Sequence, residues 1–130
     1  MARRNRAGQI LVTAGSIGLG CAAALHLGAG YRNGFPALAA SNLGAGLQSG
    51  FRVVFLSVAW DWILIALIAV VAAFRTSAGG RVLVLVCGFG VLIESIAGAA
   101  AMGLFFGNEL IGAAAILTVI GGLLLGDANG

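Results

Sequence analysis

The chain has 130 residues, 61% of them hydrophobic and 8% charged, and 22 are glycine. A soluble domain of this length needs far more polar surface, so the composition predicts an integral membrane protein with the lipid bilayer as its first partner. The net charge of +3 rests on seven arginines against four acids, Asp61, Glu94, Glu109 and Asp127, a balance that gives no ground for a nucleic-acid partner.

Arg3, Arg4 and Arg6 precede the first apolar run, as basic residues do on the cytoplasmic side of a membrane. A basic start before an apolar stretch also opens a secretory signal. This run continues through residues 10–30, too long for a signal core and right for a spanning helix. The connector that follows, residues 31–50, carries Phe35, Leu38, Leu43 and Leu47 among small residues. Pro36 suits the first turn of a helix, where its missing N–H would have no partner. Two expectations stay open for it: a short interfacial helix over 36–47, or an irregular apolar loop over the bundle.

The second span is expected over 51–74. Arg75 and Arg81 bracket a tight loop into a third, 82–106. Gly107, Asn108 and Glu109 read as the hairpin turn into a fourth, 110–125, which is close to the ~17-residue lower limit for crossing a bilayer. Residues 126–130 read as a short frayed tail. Arg3, Arg4, Arg6, Arg75 and Arg81 then share one side against Arg32 and Arg52 on the other, which places both termini in the cytoplasm of a bacterial cytoplasmic membrane. The expected fold class is all-α: a single-domain bundle of four transmembrane helices.

Ser16, Gly20, Ala24 and Gly28 recur every fourth residue in the first span, and Gly90 and Gly98 flank Glu94 on one face of the third, with Ser95, Ala99, Gly103 and Gly107 one position round. Ridges of small residues let helix backbones approach closely. They predict interhelical packing and offer a surface for a homodimer. Gly79-Gly80 lacks the lysine and the spacing of a phosphate-binding loop.

Three ionisable residues fall inside the apolar runs: His26, Asp61 and Glu94. A charge at the centre of a spanning helix costs about 2.5–3.5 kcal/mol on insertion scales, so such residues are rarely idle. At 1.5 Å per residue, Asp61 lies about 15 Å below the outer end of its span, Glu94 about 18 Å and His26 about 6 Å. Ser57 is one turn from Asp61. These placements predict one polar cavity, opening outward or laterally.

Trp60 and Trp62 flank Asp61, either as an interfacial aromatic belt on a span that starts late or as the walls of a pocket around a carboxyl. In the second reading, an acid among aromatic rings donates a proton at neutral pH, and an indole face stabilises a developing cation. That is the chemistry of isomerisation, cyclisation or epoxide opening on a lipid-soluble small molecule, with Glu94 or His26 as base or water-positioner. The candidate catalytic residues are Asp61, Glu94 and His26, and the candidate substrate contacts are Trp60, Trp62, Ser57, Phe35 and Phe89. His26 also reads as a structural histidine capping its span. The same acids suit a proton-coupled transporter of hydrophobic or cationic compounds, or an accessory subunit whose acids pair with a larger partner. No cofactor is expected. No helix carries a ligand pair at i,i+3 or i,i+4 for a metal, and Cys21 and Cys87 are isolated, without a C-x-x-C.

The stretch Gly18-Leu19-Gly20 through Ala24-Leu25-His26-Leu27-Gly28 resembles the opening of small bacterial DoxX-like membrane proteins. The resemblance covers the first third of the chain. It implies a glycine-rich first helix with a histidine near its outer end, an interfacial connector and three further spans, and it implies no particular reaction. The small multidrug transporters are as short, but they carry their essential glutamate in the first span, where this chain has none.

Overall fold

A computed structural model of the protein describes residues 2–75 and 77–126, and every long element among them is helical. Helix α1 runs Ala2–Ala29. One turn of π-helix, Gly30–Gly34, follows, closed by the Phe35 N–H donating to the Gly30 carbonyl. It passes without a break into α2, Phe35–Ala39. Then come α3, Ala45–Phe74, α4, Ala78–Met102, and α5, Phe106–Leu124. Four stretches are long and apolar enough to cross a membrane: Asn5–Ala39, Ala45–Phe74, Ala78–Met102 and Phe106–Leu124.

The helix ends differ from the sequence expectation, each for a local reason. The connector does hold a short helix with Pro36 in its first turn, but over Phe35–Ala39 rather than 36–47. It extends the first span rather than lying apart from it. Residues 45–50, assigned to the connector, already belong to α3, since a glycine inside a helix weakens it without ending it. The turn expected at 107–109 lies earlier. Gly103 adopts φ +81°, a left-handed conformation that only glycine takes without strain, and this ends α4. Gly107, Asn108 and Glu109 form the first turn of α5. At the other end, the Ser77 hydroxyl accepts the Gly80 N–H at 3.1 Å and caps α4. Thr76 of that loop and residues 127–130 of the expected tail lie outside the described residues.

Helix α1 packs against α3 and α5, and α4 packs against the same two, so the four long helices form a closed ring with α1 and α4 on one diagonal. The interior is built largely from alanine: Ala22, Ala23, Ala59, Ala66, Ala69, Ala72, Ala114 and Ala115 are all buried. Such short side chains let helix axes approach closely. The α1–α5 seam shows how closely. A Cβ on Gly8 would stand 2.8 Å from the Gly121 carbonyl oxygen, one on Gly121 would stand 2.7 Å from Val12, and one on Gly15 would overlap the Thr118 hydroxyl.

This seam is not the ridge that the spacing suggested. Gly20 and Gly28 have nothing within 4 Å of a Cβ position, and Gly20 and Ala24 face outward. Small residues recur at helical spacing on two faces of α1, and spacing alone does not choose between them. On α4, Gly90 is likewise open, whereas a Cβ on Gly98 would meet Asn108 at 3.1 Å.

Candidate functional site: an aromatic cavity holding His26, Trp62 and Glu94

Where α1 and α4 finish and α5 begins, the four long helices form a partly open cavity of about 670 Å³, lined by His26, Phe55, Trp62, Glu94, Ser95 and Asn108 with apolar neighbours. Its size is that of a small-molecule pocket. Phe55, Val58 and Trp62 reach it together because positions i, i+3 and i+7 share one face of α3. Ala22, His26 and Ala29 do the same on α1.

The polar and aromatic groups form one connected series. The indole Nε1–H of Trp62 donates to Glu94 Oε1 at 3.0 Å. The Trp62 ring meets His26 edge-on with centroids 5.2 Å apart. His26 stacks on Phe55 at 3.7 Å and 13°. Phe35 stands edge-on to Phe55 at 5.5 Å, Tyr31 edge-on to Phe35 at 5.2 Å, and the Arg52 guanidinium lies 5.8 Å from the centre of the Phe35 ring. The series therefore runs from Arg52, in the first half of α3, to the Glu94 carboxyl, which is exposed at the cavity's open side.

Two hydrogen bonds set the chemical state of this series. His26 Nε2 is 3.0 Å from the Phe55 carbonyl oxygen. A carbonyl only accepts, so Nε2 carries a proton and Nδ1 of the neutral ring keeps its lone pair. Glu94 Oε1 is held by Trp62, and Oε2 has no hydrogen-bond partner among the described residues. An imidazole and a carboxyl thus share one largely apolar cavity, each fixed by a neighbour. Gly30 makes this possible: a Cβ there would overlap the Phe55 ring against which His26 stacks.

The structure brings together only some of the residues singled out in the sequence. His26, Trp62 and Glu94 line the cavity. Phe35 packs on Phe55 behind its wall. Asp61, Trp60, Ser57 and Phe89 are exposed on the outside of the bundle and line no part of it. Asp61 and Trp62 are neighbours in sequence, but successive helical residues are rotated by about 100°, so only one of them faces the cavity. Ser57 does not mark an inward face either, because its hydroxyl donates to the Val53 carbonyl of its own helix at 2.9 Å.

Sequence reasoning missed two residues of the site. Phe55 is one of seven phenylalanines, and nothing local distinguishes it. Asn108, read as a turn residue, is 5% exposed. Its Nδ2–H donates to the Gly103 carbonyl at 3.2 Å, and its backbone carbonyl accepts the Ser95 hydroxyl at 2.9 Å. Its signal was a polar side chain beside an apolar helix start. Among the described residues no three His, Cys, Asp or Glu side chains are grouped as metal ligands.

No protein-family model matches the chain, and no curated protein or solved structure matches it.

Proposed function

We propose that the chain is a four-span protein of a bacterial cytoplasmic membrane, with both termini inside, and that its cavity is an acid–base site for a lipid-soluble small molecule. Four long apolar helices and the arginine asymmetry across them support the membrane placement. The chemical reading rests on one observation: Trp62 contacts both Glu94 and His26 within a single cavity of ligand size.

In this reading the Glu94 carboxyl gives a proton to the substrate, His26 Nδ1 takes one from another position, and that proton passes back to Glu94 before the next turnover, so the net reaction is an isomerisation that needs no co-reactant. Trp62 positions Glu94, and the faces of Trp62 and Phe55 flank positive charge developing on an otherwise apolar substrate. Asp61 has no part in this chemistry. A transporter of cationic compounds would use the same carboxyl; an imidazole beside it supplies a second proton-transfer group and favours the enzyme.

Flotation of the expressed chain with lipid vesicles after alkaline washing tests the membrane placement. Native mass spectrometry with lipidomics, on wild type and on a Glu94→Gln/His26→Phe variant, tests the chemistry. The expected result is a specific apolar molecule that one form retains and the other carries in an isomeric form. Bulk lipid alone in both forms would overturn the enzyme reading.

A further inference from the structure

Asp61 is the one mid-helix carboxyl that the cavity leaves out. The apolar run of α3 is bounded by Arg52 and Arg75, and its centre lies within about three residues of Asp61, roughly 4 Å along the axis. The side chain is exposed, and among the described residues no hydrogen bond or ion pair engages it. Trp60 beside it is 63% exposed, with Leu64 at 51% and Ile68 at 43% on the following turns. In the membrane placement proposed above, on which this inference rests, the carboxyl and the indole N–H face hydrocarbon at mid-depth. A carboxylate there is costly, and tryptophan ordinarily sits at the interface rather than the centre.

We propose that the Ser57–Trp60–Asp61–Leu64 face of α3 docks a transmembrane helix of another subunit that carries a lysine or arginine at mid-span. Charge complementarity selects this occupant over a second copy. All seven arginines lie outside the middle of the long helices, at positions 3, 4, 6, 32, 52, 75 and 81. The lone histidine, His26, is held inside the cavity by Phe55 and Trp62. A second copy therefore brings no cation to the depth of Asp61 in either orientation and sets carboxyl against carboxyl. A foreign helix with a central cation pairs with Asp61, lays apolar side chains along Leu64 and Ile68, and gives the Trp60 indole a surface to cover.

The test uses the full chain reconstituted in phosphatidylcholine vesicles with a leucine-rich single-span peptide bearing one central lysine, labelled with dansyl near that lysine. Energy transfer from the tryptophans reports association. The lysine peptide is expected to bind about tenfold more tightly than the same peptide with leucine at that position. The preference should vanish in Asp61→Asn and in Asp61→Leu and persist in Glu94→Gln. Equal binding of the two peptides overturns the proposal. So does a preference lost in Glu94→Gln but kept in Asp61→Asn, which would move the cation to the cavity. Asp61-dependent self-association without any peptide overturns it in favour of a second copy. A chain that does not float with vesicles removes the membrane placement itself; that outcome and a cation held at Glu94 are the two that also touch the function proposed above.

Discussion

Replacing Gly121 with alanine places a methyl group 2.7 Å from a Val12 side-chain carbon, 2.8 Å from the Gly8 carbonyl oxygen and 2.9 Å from the Val12 backbone nitrogen. Two of these three are backbone atoms and cannot rotate away, so α1 and α5 must separate by about half an ångström to reach ordinary contact. Overpacking of this kind costs about 1–3 kcal/mol. Removing a glycine from a helix interior returns about 0.5–1 kcal/mol, leaving a net loss of up to about 2.5 kcal/mol. Gly20→Ala is the matched control. Its Cβ meets nothing within 4 Å, so only the helix-propensity gain applies, and the variant should be slightly more stable than wild type. Unfolding of the two purified variants in mixed micelles should therefore order them Gly20→Ala, wild type, Gly121→Ala, with about 1–3 kcal/mol between the extremes. Equal destabilisation at both positions would refute the packing scheme, because it would mean that the outer ridge of α1 is covered.

Gly30→Ala pushes a methyl group into the Phe55 ring and should cost the His26–Phe55 stack, about 0.5–1.5 kcal/mol; the readout is a lost cavity ligand in native mass spectrometry with circular dichroism unchanged. Asn108→Ala removes the bond to the Gly103 carbonyl and should lower unfolding free energy by about 1 kcal/mol in the same micelles. Cys87 is buried, so a maleimide should spare it in the folded protein in micelles and label it once the protein is unfolded at alkaline pH, as mass spectrometry of tryptic peptides reads directly.

The four long helices were legible because apolar runs of this length have few other uses. Their ends were not, since glycine signals both a turn and a close contact. Gly103 breaks a helix through its φ of +81°, whereas Gly107, four residues on and no different in sequence, lies inside the next helix. Of the site, His26, Trp62 and Glu94 stood out as residue types that are expensive or unusual in apolar runs. The grouping of Asp61 with them did not survive, for a reason that sequence hides. Ser57 suggested a polar face, but a serine whose hydroxyl is satisfied by its own helix asks nothing of its surroundings.

Helix α1, the π turn and α2 form one uninterrupted rod. The part counted from Asn5 to Ala39 has 35 residues, about 52 Å at 1.5 Å per residue. A bilayer with its headgroups is only about 40–45 Å thick. In the membrane placement proposed above, an upright rod of this length would stand proud of the bilayer by about a turn or two, and the end beyond His26 carries Tyr31, Phe35 and Pro36. A contact on that end would act on a lever whose other arm passes through His26, with the wider π turn, Gly30–Gly34, as the joint. In that placement a contact made on the projecting end would reach the half-buried His26 along the helix axis without any ligand entering the cavity.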